Sequence, residues 1–219
     1  MQPAAVIFDC DGLLVDSETA WSRAETVLYE RRGVTFTHAH KRELVGTSGP
    51  IAQATVERHL GLQAGEGVTL QEEMHVLARQ EIERHAPAMP GAAELVAALR
   101  EQGMPIGMAS NSPLELVHAS LRAAGLAGVF EIVVSAEEVE HGKPAPDVYL
   151  EASRRLGVDP ERCVALEDSP TGVAAASAAG MLVVGVPSME GMELAGASIV
   201  AASLHADEVR AAVGLRRAA

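Results

Sequence analysis

Ala4-Ala5-Val6-Ile7-Phe8-Asp9-Cys10-Asp11-Gly12 is a short apolar run that ends in two carboxylates one residue apart. Such a run reads as a buried strand delivering acids at its tip, and in open α/β sheets ligands bind at the carboxyl ends of the strands. Strand alternation would set Asp9 and Asp11 on one face with Cys10 opposite. A chain already turning at Gly12 would instead offer the Asp11 backbone carbonyl inward and leave its carboxylate free. Two acids this close repel unless a cation sits between them or one keeps a proton. An Asp-rich turn after any strand has the same local pattern, so the rest of the chain has to decide.

Downstream of this run, a helical segment is predicted from about Ser17 to Arg32, stopped by Gly33. Residues 38–86 read as helix upon helix. Met74, Leu77, Ala78 and Ile82 fall at helical spacing, with Glu72, Glu73, Arg79, Glu83 and Arg84 elsewhere on the surface. Pro87 and Pro90-Gly91 close this block. Helices and strands then alternate: helices over 92–102, 113–124, 147–156 and 171–179, and strands over 105–109, 130–134, 163–166 and 182–186. That rhythm predicts a Rossmann-like α/β fold, a parallel sheet core covered by helices on both faces. The all-helical block interrupts it after the first strand. The expected domains are therefore an α/β core of residues 1–15 and 88–219 and an inserted helical cap of residues 16–87. Hinges near 14–17 and 86–90 would let the cap close over the acids.

The 219 residues suffice for one sizeable domain with an insertion. Aromatics are only 3%, so the core must be built from Ala, Val and Leu. The net charge of −13 and the absence of a basic run argue against nucleic acid as a partner. No apolar run approaches the roughly 18 residues of a membrane span, and no basic segment precedes the first apolar run as in a signal peptide. A cytoplasmic monomer is expected. Cys10 and Cys163 lie far apart in apolar runs and read as buried free thiols. His38 and His40 lack partners at zinc spacing and read as a solvated face.

Each later strand also ends in polar residues. The second gives Ser110-Asn111-Ser112-Pro113, where Ser112, Pro113 and Glu115 form a capping-box pattern and leave Ser110 and Asn111 unexplained. Hydroxyl, amide and backbone N–H groups at a helix start suit a phosphate. His141-Gly142-Lys143-Pro144-Ala145-Pro146 is stiffened by two prolines, which restrict where the Lys143 ammonium can point. Glu167-Asp168-Ser169-Pro170 places two more acids at a strand tip, of which helix capping explains only one residue. Four carboxylates from two strand ends make a hard-oxygen site of the kind Mg²⁺ prefers.

Acid pair, Ser, Lys, acid pair, in that order on successive strand tips, resembles the haloacid dehalogenase-like hydrolases over the whole chain. Phe8 to Glu18 matches the first motif of that family and Ser110 the second. Lys143 in Lys-Pro-Ala-Pro-Asp matches the third, and Glu167-Asp168-Ser169 with Gly172 and Ala179-Gly180 the fourth. The helical insertion is similar to the mobile cap of the β-phosphoglucomutase and sugar-phosphate phosphatase group. The resemblance implies a Mg²⁺-dependent phosphatase acting on a small phosphorylated metabolite through an aspartyl-phosphate on Asp9. Asp11 would serve as acid and base, and Lys143 would hold Asp9 and the phosphate together. Ser110 and the Asn111 N–H would bind phosphate oxygens. Mg²⁺ would lie on Asp9, the Asp11 carbonyl, Glu167 and Asp168.

The first-motif Asp11 departs from the dehalogenase and phosphonatase branches. Sugar-phosphate mutases of this group carry a cap Arg to grip a second phosphate, whereas Val45-Gly46-Thr47-Ser48-Gly49 holds no cation. Where those mutases have a His near the start of the first cap helix, this chain has Trp21, a candidate contact for the substrate sugar alongside Thr47 and Ser48. A mutase remains the alternative within the class. A receiver-type phospho-acceptor module is the alternative outside it, since it too uses an Asp nucleophile, Mg²⁺, a hydroxyl and a Lys.

Overall fold

Residue alternation along the central strand divides the core in two. In the computed structural model, which describes residues 2–44, 47, 49–189 and 191–215, β1 (Ala5–Phe8) is buried along its whole length. Val6 and Phe8 enter one apolar cluster, while Ala5 and Ile7 enter the other. Four helices follow: α1 (Glu18–Glu30), α2 (His38–Leu44), α3 (Gly49–Leu60) and α4 (Val68–Arg84). The chain then alternates through α5 (Ala92–Glu101), β2 (Ile106–Ser110), α6 (Leu114–Ala123), β3 (Ile132–Ser135), α7 (Asp147–Leu156), β4 (Cys163–Glu167), α8 (Pro170–Ala178) and β5 (Leu182–Gly185). A two-residue strand β6 (Ile199–Val200) and α9 (Asp207–Ala212) complete it.

All six strands are parallel, in the order β3-β2-β1-β4-β5-β6, so β1 lies between β2 and β4. A parallel sheet must be covered on both faces. Residues of α5, α6 and α9 (Leu95, Leu99, Val117, Val209) pack in the cluster of Val6 and Phe8. Residues of α7 and α8 (Val148, Tyr149, Val173, Ala176) pack in the cluster of Ala5 and Ile7. The two cysteines are free and buried, Cys10 in the first cluster and Cys163 in the second. The predicted elements of the core are all present, with boundaries shifted by one or two residues. β6 and α9 were not foreseen, because two strand residues and a six-residue helix carry too little periodicity to read.

Within the helical insertion, Ala20, Ala24 and Leu28 of α1 and Leu77, Ala78 and Ile82 of α4 are buried in one continuous cluster with the core. The chain leaves and re-enters the sheet through two adjacent segments tied by backbone bonds, Asp16 N–H to Pro87 O at 2.9 Å and Met89 N–H to Leu14 O at 2.9 Å. Those are the segments read as hinges. His38 is exposed as expected, but His40 is half-buried. Its ring stacks with His59 at 4.5 Å and Tyr29 at 5.5 Å, so the solvated-face reading fails for it. A lone His gives no sequence signal for such packing. Among the described residues no helix is long and apolar enough to cross a membrane.

Candidate active site

β1 and β4 are neighbours in register Phe8↔Leu166, so the residues just past them, Asp9 and Glu167-Asp168, emerge side by side. Asp9, Glu167 and Asp168 are all buried, and one carboxylate oxygen of each lies within 4.8 Å of the others. Lys143 reaches them from the β3–α7 loop. Its Nζ donates to Asp9 Oδ1 at 2.5 Å and to Glu167 Oε1 at 2.6 Å. It also sits 5.0 Å from the centre of the Tyr149 ring, and the Tyr149 hydroxyl donates to the same Glu167 oxygen at 2.7 Å.

Glu167 is anchored on its other oxygen as well. Oε2 accepts from the Asp168 N–H (3.1 Å), the Ser169 N–H (3.3 Å) and the Ser169 hydroxyl (3.2 Å). Ser169 caps α8 by accepting from the Gly172 N–H at 3.1 Å, as the Ser-Pro pattern predicts. Gly172 is required here because a Cβ at that position would overlap the Glu167 carboxylate. Gly12 does the same for Asp168: it turns the chain at φ 84°, and a Cβ would overlap the Asp168 carboxylate.

Burial pushes the Asp9 carboxyl well above the usual range, and the Glu167 and Asp11 charges add to that while Lys143 opposes it. Burial, then the Asp9 and Glu167 charges, pushes the Asp168 carboxyl up as well. Lys143 is held firmly protonated by Asp9 and Glu167 despite its own burial. Three buried acids against one ammonium leave the cluster short of positive charge. Hard carboxylate oxygens in that arrangement fit a divalent cation such as Mg²⁺.

Asp11 stands apart from the three-acid cluster. The strand ends at Phe8, and the N–H groups of Leu14 and Val15 both return to the Cys10 carbonyl at 3.1 Å. The chain is thus turning by Gly12, and strict alternation does not extend to Asp11. Its carboxylate accepts from the Ser112 hydroxyl at 2.7 Å and from Ser110 Oγ at 3.5 Å. This corrects the capping-box reading of Ser112. Pro113 occupies the N-cap of α6 with no side-chain bond, and Glu115 pairs instead with Arg79 of α4. The Leu114 N–H is satisfied by Glu137 Oε2 at 2.9 Å. The charge-assisted bond to the Asp11 carboxylate fixes the Ser112 hydroxyl at that site instead of at the start of α6. The Asn111 side chain is likewise spent, bonding both to Lys143 N–H (2.7 Å) and to Lys143 O (3.1 Å), so it fixes the loop that carries the lysine.

Asp9, Asp11, Ser110, Asn111, Lys143 and Asp168 line one end of a cavity of about 670 Å³; the loop before α7 (Glu137, Glu140, His141) and the helical insertion (Trp21, Leu44, Thr47 and Met74 among others) supply further wall. The Trp21 ring meets His75 edge-on, with 6.4 Å between centres. Thr47 donates to Leu44 O at 2.7 Å; Val45, Gly46 and Ser48 of the same loop lie outside the described residues.

A family model described as haloacid dehalogenase-like hydrolase matches residues 3–180. The chain belongs to that family. Among curated relatives, Hexitol phosphatase B of Escherichia coli is 41% identical over 192 residues, 86% of each chain. A probable pseudouridine-5'-phosphatase of Drosophila melanogaster is 35% identical over 190 residues, 83% of this chain and 80% of the other. Among solved structures, CbbY of Rhodobacter sphaeroides in complex with phosphate superposes with a TM-score of 0.82 at 28% identity, covering 93% of this chain and 95% of that one. As a haloacid dehalogenase-like hydrolase the chain is an enzyme. Tyr149, the buried partner of Glu167 and Lys143 in this hydrolase, was missed by sequence reasoning. It sits in the first turn of α7, six residues after Lys143, where a tyrosine carries no sequence signal that separates it from a packing residue.

Proposed function

We propose that this hydrolase is a Mg²⁺-dependent phosphatase that cleaves small phosphate monoesters of the sugar-phosphate class. The observation that carries the reading is the union of Asp9, Lys143, Glu167 and Asp168 in one buried cluster at the wall of a cavity that Asp11 and Ser110 also line. The phosphatase names of the curated relatives support it. Asp9 attacks phosphorus in line; the bond from phosphorus to the leaving oxygen breaks, and a phosphoryl group is left on the Asp9 carboxylate. Asp11 gives its proton to the departing alkoxide. It then takes a proton from the water that attacks the phosphoryl-enzyme, so Asp9 and inorganic phosphate are released and ester plus water has become alcohol plus phosphate.

Ser112 holds Asp11 for this role, and Lys143 orients Asp9 and favours its ionised form against the pull of burial while offering charge to the phosphate. Ser110 and the Asn111 N–H serve the phosphate oxygens. Asp9, Asp168 and the Asp11 carbonyl would hold Mg²⁺, with Glu167 in reach, although both Glu167 oxygens already accept protein hydrogen bonds. When bound, the cation supplies charge neutralisation to the transferring group. Residues 16–87 act in this reading as a cap over a core of residues 1–15 and 88–219, with Trp21 against the substrate.

Hydrolysis of p-nitrophenyl phosphate in Mg²⁺ tests the proposal. Turnover is expected, with reversible loss in chelator, a fall of at least 10³-fold in Asp9→Asn and a lesser fall in Asp11→Asn. Wild-type kcat in Asp9→Asn overturns it. A β-phosphoglucomutase is the second reading, and a sugar 1-phosphate converted to its 6-phosphate without phosphate release would favour it. A receiver-type module would take up phosphate once without turnover.

A further inference from the structure

Every basic group in the cavity wall is already matched by acid. Among its described lining residues, the only lysines or arginines are Lys143 and Lys41. Lys143 is pinned between Asp9 and Glu167 at the phosphate end. Lys41, on α2, is pinned in the same way between two acids of α1, 2.9 Å from Glu18 Oε2 and 3.1 Å from Glu25 Oε2. Lys41 is 13% exposed and Glu25 7%, while Glu18 is 28% exposed, so the lysine and one of its acids are largely withdrawn from solvent and the other acid stays partly open to the cavity. The two histidines of the wall also have acidic company: His141 lies 3.4 Å from Asp147, and His75 feels the Glu137 charge. Glu137 and Glu140 line the same space.

A second anionic group on a substrate, beyond the phosphate that the catalytic end takes, finds no uncommitted cation here. It finds a wall rich in carboxylate acceptors in a poorly screened site, where an unpaired charge is costly. A hydroxyl meets no such penalty. It donates to Glu18 or Glu25 and accepts from Lys41, whereas a carboxylate or phosphate can only accept. We propose that Glu18, Lys41 and Glu25 make this cavity selective for phosphate esters whose alcohol is an uncharged polyol, rejecting phosphorylated sugar acids and bisphosphates. The inference rests on the phosphatase reading and adds the leaving-group class to it.

Sorbitol 6-phosphate and 6-phosphogluconate are a matched pair, differing only in whether C1 is a hydroxymethyl or a carboxylate. Their dissociation constants are measured by titration calorimetry with Mg²⁺ on the full chain carrying Asp9→Asn, so that no turnover is needed. The hexitol ester is expected to bind at least tenfold more tightly. Adding Glu25→Gln should shrink that ratio several-fold, and adding Lys41→Met should widen it. Opposite shifts are a signature that general loss of packing would not give, and each ratio is taken on one preparation, so partial unfolding cancels. Equal affinities, a preference for the gluconate, absent binding of the hexitol ester, or both variants moving the ratio the same way overturns the inference. Failure of p-nitrophenyl phosphate turnover in the wild type would sink the phosphatase reading separately.

Discussion

Lys143→Met isolates the charge balance on which the site depends. The side chain is 4% exposed and spans Asp9 and Glu167, which are 10% and 0% exposed. Methionine fills similar volume, so little cavity is created, but three buried carboxylates lose their one direct counter-ion. Removing one partner of a buried ion pair costs about 3–5 kcal/mol. For a chain of this size that is about 2–4 °C per kcal/mol, so the melting temperature should fall by ~6–20 °C at pH 7.5 in chelator. The pH dependence is the sharper test. The folded-state pKa values of Asp9 and Asp168 are already raised, and losing the ammonium raises Asp9 further. A carboxyl raised in the folded state costs nothing while both states are protonated, below about pH 4, and erodes stability as pH climbs through the folded value. The deficit of Lys143→Met relative to wild type should therefore be largest near pH 7.5 and shrink towards pH 4.5. Scanning calorimetry across that range measures it. A deficit that is constant with pH, or absent, would show that the lysine contributes only packing and would refute the argument.

Two other perturbations test separate parts of the structure. Gly172→Ala should push the Glu167 carboxylate off the α8 N-terminus, costing about 1–3 kcal/mol by overpacking; phosphatase kcat should drop more than tenfold, as read by thermal melts and p-nitrophenyl phosphate rates on the same samples. Burial pushes the Glu25 carboxyl up to about 7 against the pull of Lys41. Its contribution is therefore full below about pH 4.5 and lost as pH rises through 7, up to about 3 kcal/mol in all. Glu25→Gln should flatten the wild-type melting curve against pH over that window, and an unchanged slope would exclude Glu25 as its source.

The core was legible because β1, β2, β4 and β5 are short apolar runs and the tips of β1, β2 and β4 carry residues with no place in an apolar core. A carboxylate pair such as Glu167-Asp168 must face a ligand or a counter-charge; the register of β1 against β4 sets Asp9 beside it, and Lys143 supplies the counter-charge. What the sequence hid was competition for hydrogen bonds. Ser112 matches a helix cap by spacing alone, yet its hydroxyl goes to Asp11, past the end of β1 and 101 residues away. The Asn111 side chain clamps the Lys143 backbone, a task separate from the phosphate contact expected of its backbone N–H. Neither could be read from local pattern, because the winning partner is set by tertiary proximity. The Glu18–Lys41–Glu25 cluster was hidden for the same reason: Lys41 and Glu25 are 16 residues apart and on different helices.

The two lysines of the cavity solve one problem in two places. A chain with a net charge of −13 folds around a cavity lined by acids, and each buried ammonium offsets part of the cost of holding two carboxyl groups out of water. At the proposed catalytic end this arrangement orients Asp9 and opposes the rise that burial causes, but it also spends the charge of Lys143 before any phosphate arrives. Lys143 alone therefore gives little net attraction for a dianion in so acidic a cavity. Attraction must come from the backbone and hydroxyl donors at the β2 tip together with a cation on Asp9 and Asp168, which ties phosphate binding to metal binding in the proposed mechanism. At the far end the same pairing has the opposite consequence in the proposed selectivity, because among the described residues the one acid cluster suited to a cation is Asp9, Glu167 and Asp168, not the acids around Lys41. One physical device, an ammonium between two acids, thus supports attack on the phosphate at one end and exclusion of a second anion at the other.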